Sequence, residues 1–312
     1  MSRRIVVALG GNALSSKGTD PFDIQLARAV RSMSVIASLV SDGWEIAITH
    51  GNGPQVGNAL RRVELSQNEV IPLPLSVCGA QTQGEIGFIL ALALGNHLYI
   101  SNMDRPVLAL VTRVIVDKDD PGFSNPTKFI GRFYTGDEAQ KLIREQGWIM
   151  KEDVGRGWRR VVPSPMPVEI VEKDAVMELL DNGSVVISTG GGGIPVIEKS
   201  DGSLQPVDAV IDKDRASAVL ANNINAEKLI IITGVDRVAI NFGKPEQKDL
   251  TELTVQQAEK YYSEEHFPPG SMGPKIKAAI DFIRGGGKRV IITSIEKAIE
   301  SLHGSSGTTI TE

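Results

Sequence analysis

Cysteine is almost absent: of 312 residues only Cys78 carries a thiol, so neither an intramolecular disulfide nor a cysteine-built metal centre is available. Its neighbours Leu75 and Val77 suggest a thiol packed into a core, and this cysteine usage suits the cytoplasm. Aromatic residues are scarce, 5% against 41% hydrophobic overall, which favours aliphatic layering of helices on a sheet. Excess positive charge is missing too. The formal charge is -5, with lysines and arginines scattered among acids, so no nucleic-acid partner is expected. The 4 histidines, His50, His97, His266 and His303, lie far apart and outside any His-Glu-x-x-His pattern, so no metal ligand is assigned.

Long hydrophobic runs are lacking as well. Arg3-Arg4 followed by Ile5 to Leu9 has the start of an export signal, but Gly10-Gly11-Asn12 cuts the run short, and the segment reads as a buried first strand. The apolar run Phe88 to Leu94 falls far below the roughly 20 residues a bilayer crossing needs, so no membrane partner is expected. Three catalytic signatures are also missing. Gly285-Gly286-Gly287-Lys288 is followed by Arg289, which breaks the Walker pattern; the loop after the first strand is not Gly-x-Gly-x-x-Gly; and no Gly-x-Ser-x-Gly elbow occurs. P-loop, dinucleotide and serine acyl-transfer chemistry all recede.

What is present is a recurrence of short β-branched runs: Ile5 to Leu9, Glu45 to Thr49, Val107 to Thr112, Val185 to Thr189, Leu229 to Thr233 and Val290 to Thr293. Helical patterns separate them, which predicts a mostly parallel sheet with helices on both faces. The clearest helix has Asp20 as cap and Pro21 at its first position, with Leu26, Val30, Met33, Ala37 and Val40 as one buried stripe before Gly43. Between 117 and 167 the pattern breaks into Pro, Gly, Arg and Trp, predicting an inserted protruding subdomain or lid. Glu198 to Gln205, around Asp201-Gly202, reads as a hairpin.

In an open parallel sheet ligands bind beyond the carboxyl ends of the strands. Three loops there are glycine-rich: Gly10-Gly11-Asn12, Gly51-Asn52-Gly53 and Gly190 to Gly193. Glycine lets backbone N–H groups approach an anion, although each glycine alone is equally well explained by a tight turn. Three such loops together favour a polyanion site. Phosphoryl transfer asks chiefly for positive charge around the migrating group, which makes Lys275 in Gly270-Ser271-Met272-Gly273-Pro274-Lys275, Lys213 in Ile211-Asp212-Lys213-Asp214, and Lys128 the candidates. Pro274 suits the first position of a helix whose N-terminus and Lys275 ammonium would face one anion. A solvated surface charge is the alternative for each lysine taken alone.

Together these segments resemble the carbamate kinase family within the amino-acid kinase group. The resemblance runs from Ala8-Leu9-Gly10-Gly11-Asn12-Ala13-Leu14 through His50-Gly51-Asn52-Gly53-Pro54-Gln55, Gln81-Thr82-Gln83-Gly84-Glu85 and Asn125-Pro126-Thr127-Lys128 to Gly190-Gly191-Gly192-Gly193-Ile194-Pro195, Val210-Ile211-Asp212-Lys213-Asp214 and Met272-Gly273-Pro274-Lys275. Many amino-acid kinases carry a catalytic lysine just before the Gly-Gly; Ala8 stands there in this chain, and Lys128 matches the position from which carbamate kinases supply that charge. The resemblance implies a three-layer αβα sandwich forming a single domain over 1–312, with 117–167 protruding. Its N-terminal half would hold the carbamate and phosphoryl site, and 185–312 the nucleotide. It further implies catalytic Lys128, Lys213, Asp214 and Lys275, with substrate and phosphoryl binding by Gly10, Gly11, Asn12, Gly51, Asn52 and Gly53. Nucleotide binding would fall to Thr233, Gly234, Val235, Asp236, Met272, Gly273 and Lys275. Mg2+ would arrive on ATP or ADP, carbamate or carbamoyl phosphate would be the other substrate, and a homodimer is implied, with the apolar segment Ile71 to Leu94 as a possible interface. Two rivals stay open: a silent nucleotide-binding sensor on the same fold, and a kinase for another small carboxylate or phosphonate.

Overall fold

A computed structural model describes residues 3–11 and 20–312. Its main sheet has eight strands: β1 (Arg4–Leu9), β2 (Glu45–His50), β3 (Val107–Ala109), β4 (Val185–Ile187), β5 (Lys228–Ile232), β6 (Glu252–Thr254), β7 (Arg289–Thr293) and β8 (Thr308–Thr311), in the order β6-β8-β7-β5-β1-β2-β4-β3. Every neighbouring pair is parallel except β7 with β8. The first strand shows why the sequence folds this way. All of Arg4–Leu9 is buried, and its side chains alternate between two cores, Ile5, Val7 and Leu9 in one and Val6 and Ala8 in the other. Helices Phe22–Ser41 and Leu75–Ile100 cover the first face; Lys213–Asn223 and Met272–Arg284 cover the second. The chain is therefore the three-layer sandwich expected.

Some local expectations change. The first helix begins at Phe22 with Pro21 in the capping position, one residue later than Asp20 as cap would require. Val30 is 41% exposed rather than part of the buried stripe, which runs instead through Ala29, Met33, Ile36, Ala37 and Val40; a helix turns 100° per residue, and Val30 sits just past the edge of that arc. The backbone carbonyl of Val30 accepts a hydrogen bond from the His97 ring at 2.8 Å, tying this helix to Leu75–Ile100. Helix Leu75–Ile100 is 26 residues long and, by length and composition, apolar enough to cross a membrane, more than its short contiguous run conveys. Half of its most apolar window is buried within the protein, against the sheet and the first helix.

Residues 128–162 build a unit of their own. Strands Lys128–Tyr134, Gly157–Val162 and Met150–Asp153 pair antiparallel, and helix Gly136–Gln146 starts with a reciprocal cap between Thr135 and Glu138 and ends at Gly147 in the left-handed conformation. Tyr134, Ala139 and Met150 form a small core with Trp148 and Trp158. Arginines stack on the aromatic residues: Arg159 lies 5.1 Å from the Phe133 ring centre and Arg160 4.8 Å from that of Trp148. The Tyr134 hydroxyl donates to Glu64 at 3.1 Å, fastening the unit to helix Gly53–Ser66. The expected hairpin pairs Ile194–Glu198 with Leu204–Pro206, and Gly202 turns it at φ 80°.

Candidate active site

Chain direction reverses its sideways progress at β1, which has β2 on one side and β5 on the other. A crevice opens beyond the carboxyl ends of strands at such a point. Gly10 follows β1 immediately, and a Cβ there would lie 2.8 Å from the carbonyl oxygen of Ile232, so only glycine lets the ends of β1 and β5 come this close. Gly51 follows β2. A Cβ on Gly51 would touch the Lys213 side chain at 3.6 Å and the Gly11 nitrogen at 3.7 Å, which places Lys213 across these two loops. Gly11 itself is exposed, with nothing within 4 Å of its Cβ direction.

Lys213 and Lys275 meet on one carboxylate. Lys213 Nζ donates to Asp214 Oδ1 at 2.5 Å and Lys275 Nζ to Oδ2 at 3.0 Å, the second lysine reaching from helix Met272–Arg284. Asp214 is buried. Burial alone would push its pKa up, but the two ammonium groups outweigh burial and hold it at about 2. The carboxylate is thus a fixed anion that aims two cations. Lys128 arrives from the base of the arginine-rich unit and donates to Asp212 Oδ2 at 3.0 Å, two residues before Asp214. All three lysines therefore converge on the start of helix Lys213–Asn223, although Lys128 takes a different carboxylate from the other two.

A cavity of about 520 Å³ opens beside this cluster, floored by Gly10, Gly11, Lys275 and Ser271 and continuing along Thr233 and Gly234. A second hollow of about 240 Å³ shares Thr233, Gly234, Ser271 and Lys275 and adds Val235, Phe242, Pro268 and Met272, an apolar slot at the far end of a polar trough. Asp236 accepts a hydrogen bond from the Ser294 hydroxyl at 2.6 Å, which ties the loop after β5 to that after β7. A polar, cationic trough ending in an apolar slot is the shape that takes a nucleotide polyphosphate with its base.

Several expected residues sit elsewhere. Asn12 lies outside the described residues. Asn52 turns its amide inward: Nδ2 donates to Thr82 Oγ1 at 2.8 Å, and the side chain is buried against Gly191. Gly53 opens helix Gly53–Ser66 with open space at its Cβ direction. Gly273 is buried and its N–H is bonded to Pro268 O at 2.9 Å, so it supports the wall instead of facing the trough. The helix carrying Lys275 begins at Met272, which puts Pro274 third rather than first, because the chain turns back through that Pro268 carbonyl.

The third glycine loop corrects the expectation of an open anion cradle. Gly190, Gly191 and Gly192 are buried, and Cβ atoms on them would lie 2.4 Å from His50 Nε2, 2.2 Å from Asn52 Nδ2 and 2.5 Å from Ile211 O. These glycines are spaces for neighbouring groups. His50 is buried there; burial pulls its pKa down to about 4, Gly51's carbonyl opposes, and Lys213 adds to the fall, so the ring is neutral near pH 7.

The sequence reading passed over the outer wall of the trough, where Arg28, Arg31 and Ser32 from the first helix face Ser294 and Glu296. Their spacing of three and four residues, which puts them on one face of the first helix, was the available signal. No group of three or more His, Cys, Asp or Glu able to hold a metal occurs among the described residues. Both Asp214 oxygens are already engaged by lysines.

The model of the amino acid kinase family matches residues 3–294. A carbamate kinase of Pyrococcus horikoshii is 47% identical over 100% of both chains, and a carbamate kinase-like protein of Escherichia coli is 48% identical over 99% of each. The crystal structure of a Giardia lamblia carbamate kinase bound to AMP-PNP superposes with a TM-score of 0.93 at 40% identity, covering 99% of this chain and 98% of that one. The chain belongs to the amino acid kinase family.

Proposed function

We infer that this chain is a carbamate kinase, moving a phosphoryl group reversibly between ATP and carbamate to give ADP and carbamoyl phosphate. The observation that carries the reading is the paired ammonium clamp on Asp214 beside the Gly10-Gly11 turn, with Ala8, not lysine, near the end of β1 and Lys128 arriving from the arginine-rich unit. A kinase transition state is loose and spreads charge over three oxygens, so the protein contributes mainly fixed cations and backbone donors. Lys213 and Lys275 supply that charge already oriented, since Asp214 holds both before substrate arrives. Gly11 and Gly51 keep the approach open, and Thr233, Gly234 and Val235 hold the nucleotide along the trough, with Met272 against its base.

Mg2+ would be brought by the ATP phosphates rather than held in a protein cage, in keeping with the donor set, because Asp214 is occupied by two lysines and Asp236 by Ser294. It would supply charge neutralisation on the phosphates. The unit at 128–162 would close over the site and keep water from a hydrolysable product. A homodimer is supported by an exposed stripe, Val77, Phe88, Leu92 and Tyr99, at intervals of eleven, four and seven along helix Leu75–Ile100. A cytoplasmic setting suits ATP chemistry and the single thiol.

The sensor reading loses ground because all three lysines are retained and two are pre-aimed. The deciding experiment is ATP formation from ADP and carbamoyl phosphate, with magnesium omitted as control, run beside ATP consumption with carbamate, acetylglutamate and aspartate. Turnover with carbamate alone is the expected result; preference for either other acceptor, or none, would sink the assignment.

A further inference from the structure

Asp212 lies between Ile211 and Lys213, and its carboxylate takes one more hydrogen bond than that of Asp214. Oδ1 accepts the backbone N–H of Asp214 at 3.0 Å and of Arg215 at 3.3 Å, capping helix Lys213–Asn223. Oδ2 accepts Lys128 Nζ at 3.0 Å. One oxygen thus fixes the backbone that carries Asp214, while the other fixes a lysine from a different structural unit. Asp212 is itself held from behind. The carbonyl of Ile211 lies against Gly192, and the Val210 N–H donates to Pro163 O at 3.0 Å, at the end of the strand whose Val162 pairs with Lys128.

We propose that Asp212 is a positioning residue for the phosphoryl transfer, setting Lys128 in register with the Lys213–Asp214–Lys275 clamp. The inference rests on the carbamate kinase reading and deepens it. A lysine ammonium has three N–H donors, so the bond to Asp212 fixes its direction and leaves two for phosphoryl oxygens. Without that bond Lys128 is a flexible four-carbon arm on a half-exposed edge, and its ordering would have to come from substrate binding. The same carboxylate joins the base of the arginine-rich unit to the catalytic helix, so movement of the unit and placement of the cation are one event.

Asp212→Asn isolates this role, because asparagine caps a helix as well as aspartate does while carrying no charge. In the ATP-forming assay kcat is expected to fall about tenfold, with KM for ADP changed less than about twofold and the melting temperature nearly unchanged. Lys128→Ala should lose on the order of 10²-fold. The decisive measurement is the double variant Asp212→Asn/Lys128→Ala: if Asp212 acts through Lys128, it is no slower than Lys128→Ala alone. Losses that multiply, or a wild-type kcat in Asp212→Asn, would overturn the proposal. Asp212→Ser, which caps but cannot reach Lys128, should repeat the kcat loss should the asparagine variant prove unstable. Amide exchange at 127–131, expected to quicken alike in both single variants and unchanged if Asp212 has no hold on Lys128, reads the same tie without turnover. An inactive wild type would instead count against the carbamate reading.

Discussion

Gly11 and the loop Gly190 to Gly193 carry the same residue at the same place in the fold, just past a buried strand, for opposite physical reasons. At Gly11 the missing side chain leaves open space in front of a backbone that faces a cavity. At Gly190 to Gly192 the missing side chains are replaced by His50, Asn52 and the carbonyl of Ile211. Glycine in the first case admits a ligand; in the second it admits the protein's own atoms. Glycine content alone therefore does not identify an anion site, and what decides is whether the space vacated by Cβ is already filled.

Substitutions on the two sides should separate rate from stability, and the largest effect belongs to the cavity side. Lys275→Ala is expected to lose 10²–10³ in kcat, about 3 kcal/mol or more of transition-state stabilisation, while Lys213 still pairs with Asp214 and the fold survives. A loss under tenfold would mean the trough is not where charge develops. Next comes Gly191→Ala on the packed side. Its φ of 65° disfavours alanine and the new methyl would fall 2.2 Å from Asn52 Nδ2, so urea unfolding should show about 2–4 kcal/mol of destabilisation. An unchanged midpoint would break the contrast.

The packed side should also be the acid-sensitive one. His50 has a folded pKa of about 4 against 6.5 unfolded, so its contribution is fully present above pH 6.5 and is lost as pH falls toward 4, on the order of 3 kcal/mol. Unfolding midpoints measured from pH 7 to 4 should fall more steeply in the wild type than in His50→Gln; equal slopes would remove His50 from the account. Smallest is Gly11→Ala, expected to lower kcat/KM about tenfold, roughly 1.4 kcal/mol, with stability nearly unchanged because nothing lies within 4 Å of the new methyl. A stability loss as large as that of Gly191→Ala would erase the distinction between the loops.

The sandwich was legible because a strand buried on both faces leaves an unbroken aliphatic run, as in Ile5 to Leu9, and because each run ended where polar chemistry began. Lys275 was legible as a candidate through its glycine and proline surroundings, Lys213 as a lysine in the string Ile211-Asp212-Lys213-Asp214, and Asp214 only through the resemblance. That Asp214 orients lysines was implied by the resemblance alone; spacing does not show it, since Lys275 and Asp214, 61 positions apart, meet only through the packing of two helices. Val30 was misplaced by a stripe drawn slightly too wide. Asp212 was visible only as one letter in a string, because a cap and an ion pair on the two oxygens of one carboxylate are facts of geometry that no spacing records. The filled glycines of 190–192 were hidden for the same reason.

Cys78 is the chain's one sulfhydryl; it is fully buried on helix Leu75–Ile100, and burial, with Asp208 nearby, pushes the pKa of its thiol up. A shielded, protonated sulfur reacts with a labelling reagent only while its surroundings are open. The molecule consequently carries its own clock: the slow tempo of thiol modification counts how often this region breathes, with no probe introduced by mutation.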